Sequence, residues 1–241
     1  MDGDGFQGDR RPAVKPHSAP QDHNQFVEDP LAHFRAIPWC RKLLDDPMVL
    51  ETIIVDRRPI PSGESSFVRR VMNTGTTVRA CITFLRMAQP PRRRTANDQD
   101  MMVGAAPLSQ SRELLRGGGD TDGENPRNPF LLVNALLDLG EDLCGYKGTL
   151  HGGLFTVLLD EVMGTAANYQ AEHGAYTVRY NIDIRKAIKL PQIVMVRARV
   201  FRKEGRKIYV RGTIEDHQND LMAEADGIWV QMGHNVGRSQ L

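Results

Sequence analysis

The residues best able to do chemistry stand together in GTLHGGLFTVLLDEVMGTAANYQ, residues 148–170. They are His151, Gly152 and Gly153, followed by two adjacent acids, Asp160 and Glu161. Small and turn-prone residues open the stretch and an apolar run without proline follows, so residues 154–167 read as a helix. Glycines at a helix start leave backbone N–H groups uncovered at the positive end of the dipole, a seat for an anion or an oxyanion. A polarising N-terminus with a carboxylate two turns further in can do acyl chemistry. A carboxylate in an apolar helix is costly unless it is paired or protonated, so both acids need a partner or a task.

Helical spacing separates the two acids. Asp160 shares its face with Gly153, Thr156, Val157, Gly164 and Ala167, mostly small residues that leave room for a ligand or another backbone. Glu161 shares a bulkier face with Leu154, Val157, Leu158, Thr165 and Asn168, which makes it the second candidate acid. A purely structural hydrogen-bonding role is the alternative for either.

Apolar side chains lie on nearly every face of this helix, so other structure must wrap it. Behind it come four segments with strand character, at 176–184, 193–201, 208–215 and 221–232, with KEGRK and DHQND as turns. In the first, strict alternation puts Tyr176, Val178, Tyr180, Ile182 and Ile184 on one face and Thr177, Arg179, Asn181 and Asp183 on the other. Ahead of the helix, residues 130–139 (FLLVNALLDL) and 76–88 read as strands, with 67–72 as hairpin partner of the latter. The pattern predicts an α+β fold in which an antiparallel meander curls round one long central helix.

The remaining chain divides by composition. Residues 1–27 read as a disordered tail, and 28–51 as an arm of two short helical pieces broken by Pro38 and ended by Pro47. Residues 52–88 lead into the domain, 89–129 read as a long disordered insertion, 130–232 form the core and 233–241 a second tail. Gly117–Gly119 in the insertion lack the Lys-Ser/Thr of a phosphate loop.

Lys plus Arg number 31 against 30 Asp plus Glu, so no global charge argues for nucleic-acid or membrane binding. Cys40, Cys81 and Cys144 are odd in number and widely spaced, giving neither a metal pattern nor a disulfide framework, as in a reducing compartment. No run is long enough to span a membrane, and no targeting segment is visible. The expectation is a soluble cytoplasmic protein, with a mitochondrial location left open.

A central helix opening on HGG, an acid nine residues after the His, and strands behind it resemble the hotdog-fold acyl-CoA thioesterases, especially the phenylacetate-degradation type and its eukaryotic relatives. The likeness covers 130–232 and is strongest over HGGLFTVLLDEVMG. It implies that Asp160 is the general base or nucleophile, that the Gly152 N–H holds the oxyanion and that His151 shapes the site. It further implies that Thr177 positions the attacking water, with no metal or cofactor. Sites built across a homodimer, or within a tetramer, are also implied. Several members carry an Asn six residues before the motif His, where this chain has Gly145.

The implied substrate is acyl-CoA, with an acyl-carrier protein or a non-catalytic acyl-binding role as alternatives. Substrate-binding candidates are Gly153 and Glu161 at the helix. Basic groups able to meet the phosphates of CoA are Arg185 and Lys186 after one strand, and Arg202, Lys203 and Arg206 at a hairpin. Such tips also serve simply to keep a sheet edge soluble.

Overall fold

A computed structural model describes residues 22–87 and 131–233. The expected insertion at 89–129 and most of both tails therefore lie outside the described residues. Two short helices come first: α1 (Pro30–Arg35), capped by the Asp29 carboxylate on the Ala32 N–H, and α2 (Pro38–Leu44), which starts on its proline. Strands β1 (Val49–Ile54), β2 (Val78–Met87) and β3 (Leu131–Leu139) follow. A small hairpin of β4 (Cys144–Tyr146) and β5 (Thr149–Leu150) leads into the long helix α3 (Gly152–Gln170). The chain closes with β6 (Ala175–Ile184), β7 (Gln192–Glu204), β8 (Lys207–Glu215) and β9 (Leu221–Gln231).

The large sheet has the order β1-β2-β3-β7-β8-β9-β6, and every neighbouring pair in it is antiparallel. One face wraps α3, where Leu159, Val162, Met163 and Ala167 meet Val194, Val196, Ile208, Val210 and Trp229. This is the hotdog fold expected from the sequence.

Three local expectations are corrected. The four strands behind the helix do not form a simple meander, because β7 pairs with β3 and sends β6 to the far edge beside β9. All nine residues of β3 are buried, so this strand needs a neighbour on each side and takes β2 and β7. Residues 67–72 are no strand: Phe67–Val71 forms one π-helical turn. The partner of β2 is β1, drawn from the end of the presumed arm, where the β-branched Ile53 and Ile54 suit a ladder. The turn is held by Arg57, 1% exposed, whose guanidinium donates to the carbonyls of Val68, Met72 and Val78.

The sheet's outer face carries a second apolar cluster of Ala80, Ile82, Phe84, Leu136 and Met195, covered by Phe34, Cys40 and Leu44 of the arm. Beneath α1, the buried Asp138 takes hydrogen bonds from His33 Nε2 at 2.9 Å and Arg79 Nη2 at 2.5 Å. Residues 22–27, read as tail, are also tied down. The Gln25 amide donates to the carbonyls of Val55 and Cys81 and accepts from the Cys81 N–H.

Candidate active site

The helix begins two residues earlier than expected. His151 is its N-cap, and its Nδ1 accepts from the Gly153 N–H at 3.0 Å, so the two glycines form the first turn rather than a loop before it. Because Nδ1 is an acceptor, the ring proton of the neutral imidazole lies on Nε2. Among the described residues the Gly152 N–H has no partner; the residue is exposed, and a Cβ there would meet nothing within 4 Å. An exposed amide at a helix start is a ready anion donor.

Gly145 has a physical reason to lack a side chain. A Cβ at this position would stand 2.5 Å from His151 Cδ2 and 2.9 Å from both Cγ and Cα of the same residue. The imidazole thus lies directly on the Gly145 backbone, in the space an asparagine would need. With His151 placed as it is here, an asparagine at 145 does not fit without moving the cap. Spacing alone gave no sign of this contact.

Two turns into α3, Asp160 meets the expected threonine: Thr177 Oγ1 donates to Asp160 Oδ1 at 2.7 Å. Burial pushes the Asp160 carboxyl above the usual carboxylate range, and the Thr177 hydrogen bond pulls it back down. Strict alternation would turn Thr177 away from Tyr180. A β-bulge prevents this: Thr177 pairs with Trp229, Arg179 with Ile228 and Tyr180 with Gly227, leaving Val178 as the extra residue. Thr177 therefore shares the inner face with the buried Trp229 and with Tyr180, while Tyr176 and Val178 are half exposed.

Glu161 faces elsewhere. It lines a small cavity with Arg57, Val68, Met72, Cys81, Leu137 and Val157. Burial raises its carboxyl to about 7, helped by the neighbouring Asp160 charge and opposed by Arg57 and Arg69. It is thus held apart from the Asp160–Thr177 pair. Arg57, which answers it, had no signal in the sequence beyond a turn-rich stretch.

The basic candidates divide between the two ends of α3. Arg185 donates to Glu224 Oε1 at 2.9 and 2.5 Å, and Lys186 to Asp220 Oδ2 at 2.7 Å. Their segment runs on to the helix start, where the Leu150 N–H bonds the Ile188 carbonyl and Thr149 bridges Lys189. At the other end Lys203 Nζ donates to the Gln170 carbonyl that closes the helix. Arg206 donates to Gln231 O, and Arg202 pairs with Glu204. The structure does not bring the two clusters together, and each of these side chains has a partner within the chain.

A long helix entered through His-Gly-Gly, an acid held by a threonine two turns in, and an antiparallel sheet wrapped round both define the hotdog class. Residues 147–223 match the family model of the Thioesterase superfamily. Acyl-coenzyme A thioesterase THEM4 of Mus musculus is 32% identical over 99 residues, 41% of this chain and 42% of the mouse protein. A putative esterase of Sulfurisphaera tokodaii is 34% identical over 89 residues, 37% of this chain and 66% of its own. Among solved structures, the E. coli PaaI protein from the phenylacetic acid degradation operon aligns at a TM-score of 0.42 and 17% identity, covering 44% of this chain and 76% of that one. The likeness read from HGGLFTVLLDEVMG is borne out, while the chain spans less than half the length of the mouse relative. Among the described residues, no helix is long and apolar enough to cross a membrane.

Proposed function

We propose that this protein hydrolyses acyl-CoA thioesters, with Asp160 as general base and the Gly152 N–H as oxyanion donor. The observation that carries the reading is the Thr177–Asp160 hydrogen bond, on the same helix whose first amide, at Gly152, has no partner among the described residues. Asp160 takes a proton from water, and the water oxygen attacks the thioester carbonyl carbon. The carbonyl π pair moves to oxygen, where the Gly152 amide meets the developing charge without reorganising. Collapse of the tetrahedral adduct breaks the C–S bond, and the thiolate of CoA leaves and takes up a proton. Burial that disfavours the charged carboxylate also makes it the stronger base.

One chain cannot supply both groups to one carbonyl. At about 1.5 Å rise per residue, Gly152 and Asp160 of the same helix are about 12 Å apart. A homodimer that sets Asp160 of one protomer against Gly152 of its partner removes the difficulty. The edge strand β6 supports this arrangement, since it carries Thr177 and leaves Tyr176, Val178 and Ile184 52%, 53% and 48% exposed. In this reading residues 130–232 carry the chemistry, and Arg185 and Lys186, near the helix start, meet the phosphates of CoA.

The test is release of free CoA from short, medium, long and aromatic acyl-CoAs, with an acylated carrier protein alongside. Turnover on CoA esters supports the reading. Turnover on the carrier alone transfers the activity to carrier-bound acyl groups, and turnover on none overturns it.

A further inference from the structure

Tyr180 belongs to the same face as Thr177 and has no assigned task. Its phenolic oxygen is buried, and among the described residues it has no hydrogen-bond partner. The β6 bulge turns it inward opposite Gly227. There the Trp229 indole folds over the glycine, so closely that a Cβ at 227 would stand 2.6 Å from the ring. Tyr180 meets that indole edge to face, with ring centroids 6.3 Å apart. The indole Nε1 in turn lies 3.4 Å from where a Cβ on Gly164 would be, one helical turn beyond Asp160. The phenol is thereby fixed above the Asp160–Gly164 face of α3.

Each of the two groups, the phenol and the carboxylate, is incompletely paired. Thr177 occupies Oδ1 of Asp160, and among the described residues Oδ2 accepts from nothing. A buried hydroxyl without a partner is costly, and catalytic hydrogen bonds are often long before substrate closes the site. Burial and the Asp160 charge both disfavour loss of the Tyr180 proton, so the group stays a donor throughout the working pH range. The other charged neighbours act elsewhere: Glu161, on the adjacent helical position, is answered by Arg57 and Arg69.

We propose that Tyr180 is a positioning residue for Asp160, its hydroxyl serving as second donor to the carboxylate at the oxygen Thr177 leaves open. With both oxygens held, the carboxylate cannot rotate about its last bond, and its ionised form is favoured over the acid. This proposal rests on the hydrolytic reading only for its kinetic consequence; the proposed hydrogen bond is independent of it.

The experiment compares wild type with Tyr180→Phe, which removes one oxygen and keeps the ring against Trp229. The Asp160 carboxyl is titrated by carbon-13 NMR in the full chain, and hydrolysis is followed against pH. Loss of a donor to the charged form raises the carboxyl, so its midpoint and the acid limb of kcat/KM move up by about one pH unit. In parallel, kcat falls about tenfold with KM unchanged. Thr177→Val, which removes the other donor, moves the midpoint the same way and calibrates the effect. An Asp160 midpoint unchanged in Tyr180→Phe, where Thr177→Val shifts it, overturns the proposal. Should no thioester be turned over, the NMR titration still decides, so failure of the hydrolytic reading is told apart from failure of this one.

Discussion

Replacing Gly145 by alanine tests whether the cap histidine sets the proposed oxyanion donor, the Gly152 N–H. The added methyl would stand 2.5 Å from His151 Cδ2 and 2.9 Å from its Cα. Ring rotation can relieve the first contact and not the second, because Cα belongs to the backbone. The residue must move as a whole, and the Nδ1 acceptor on the Gly153 N–H at 3.0 Å goes with it. An N-cap bond is worth about 0.5–2 kcal/mol, and overpacking adds about 1–3 kcal/mol. In a chain of this size each kcal/mol lowers Tm by about 2–4 °C, so a drop of roughly 3–20 °C is expected. In the proposed mechanism the kinetic effect is comparable in free energy: a displaced first turn takes the Gly152 N–H out of line, at a cost of about 10²–10³ in kcat. His151→Ala removes the cap without the collision and is expected to lose less than Gly145→Ala on both measures. Thermal unfolding and CoA release, run on both variants, read these effects. A Gly145→Ala variant with wild-type kcat and Tm would refute the reasoning, since it would mean that the helix start tolerates the shift.

Glu161 gives a pH-dependent prediction. Its carboxyl is raised from 4.5 to about 7 in the fold, so across this window the folded state holds a proton that the unfolded chain has lost. Stability therefore falls as pH rises from about 4.5 to 7, by up to roughly 3 kcal/mol. Glu161→Gln should recover about 2–3 kcal/mol at pH 8 and nothing at pH 4, as read from urea midpoints; equal midpoints at pH 8 would contradict it. Arg57→Met leaves the carbonyls of Val68, Met72 and Val78 without their donor and should cost about 3 kcal/mol in the same assay. Val178→Lys places a charge on the exposed edge of β6 and should shift sedimentation from dimer to monomer while abolishing turnover; an active monomer would remove the shared-site argument.

The helix, its entry and its acid were legible because each leaves a mark in composition: small residues, an apolar run, then a charge that does not belong. Strands β7, β8 and β9 were legible by alternation. The order of the sheet was not, since pairing between β3 and β7 joins residues some sixty positions apart, such as Val133 and Ala198, and no local pattern records it. Nor was the bulge. One inserted residue at Val178 reverses the parity of everything before it, and it is the bulge that turns Thr177 toward Asp160. Period two read across the break assigns Thr177 to the wrong face. The arm's end was misread for a simpler reason: Asp45–Pro47 mark the end of α2, and the apolar Val49 and Leu50 that follow were kept with the arm although they open β1. The basic clusters were visible, but their partners Glu224, Asp220 and the Gln170 carbonyl were not.

The most direct test is the rate of CoA release by Asp160→Asn beside wild type, on whichever acyl-CoA the wild type turns over best. Asparagine preserves the shape of the side chain and can still accept from Thr177, but it cannot take a proton from water. A fold unchanged by circular dichroism, with kcat lower by at least about 10²-fold, is the expected result. A variant that hydrolyses at the wild-type rate would show that Asp160 is not the base.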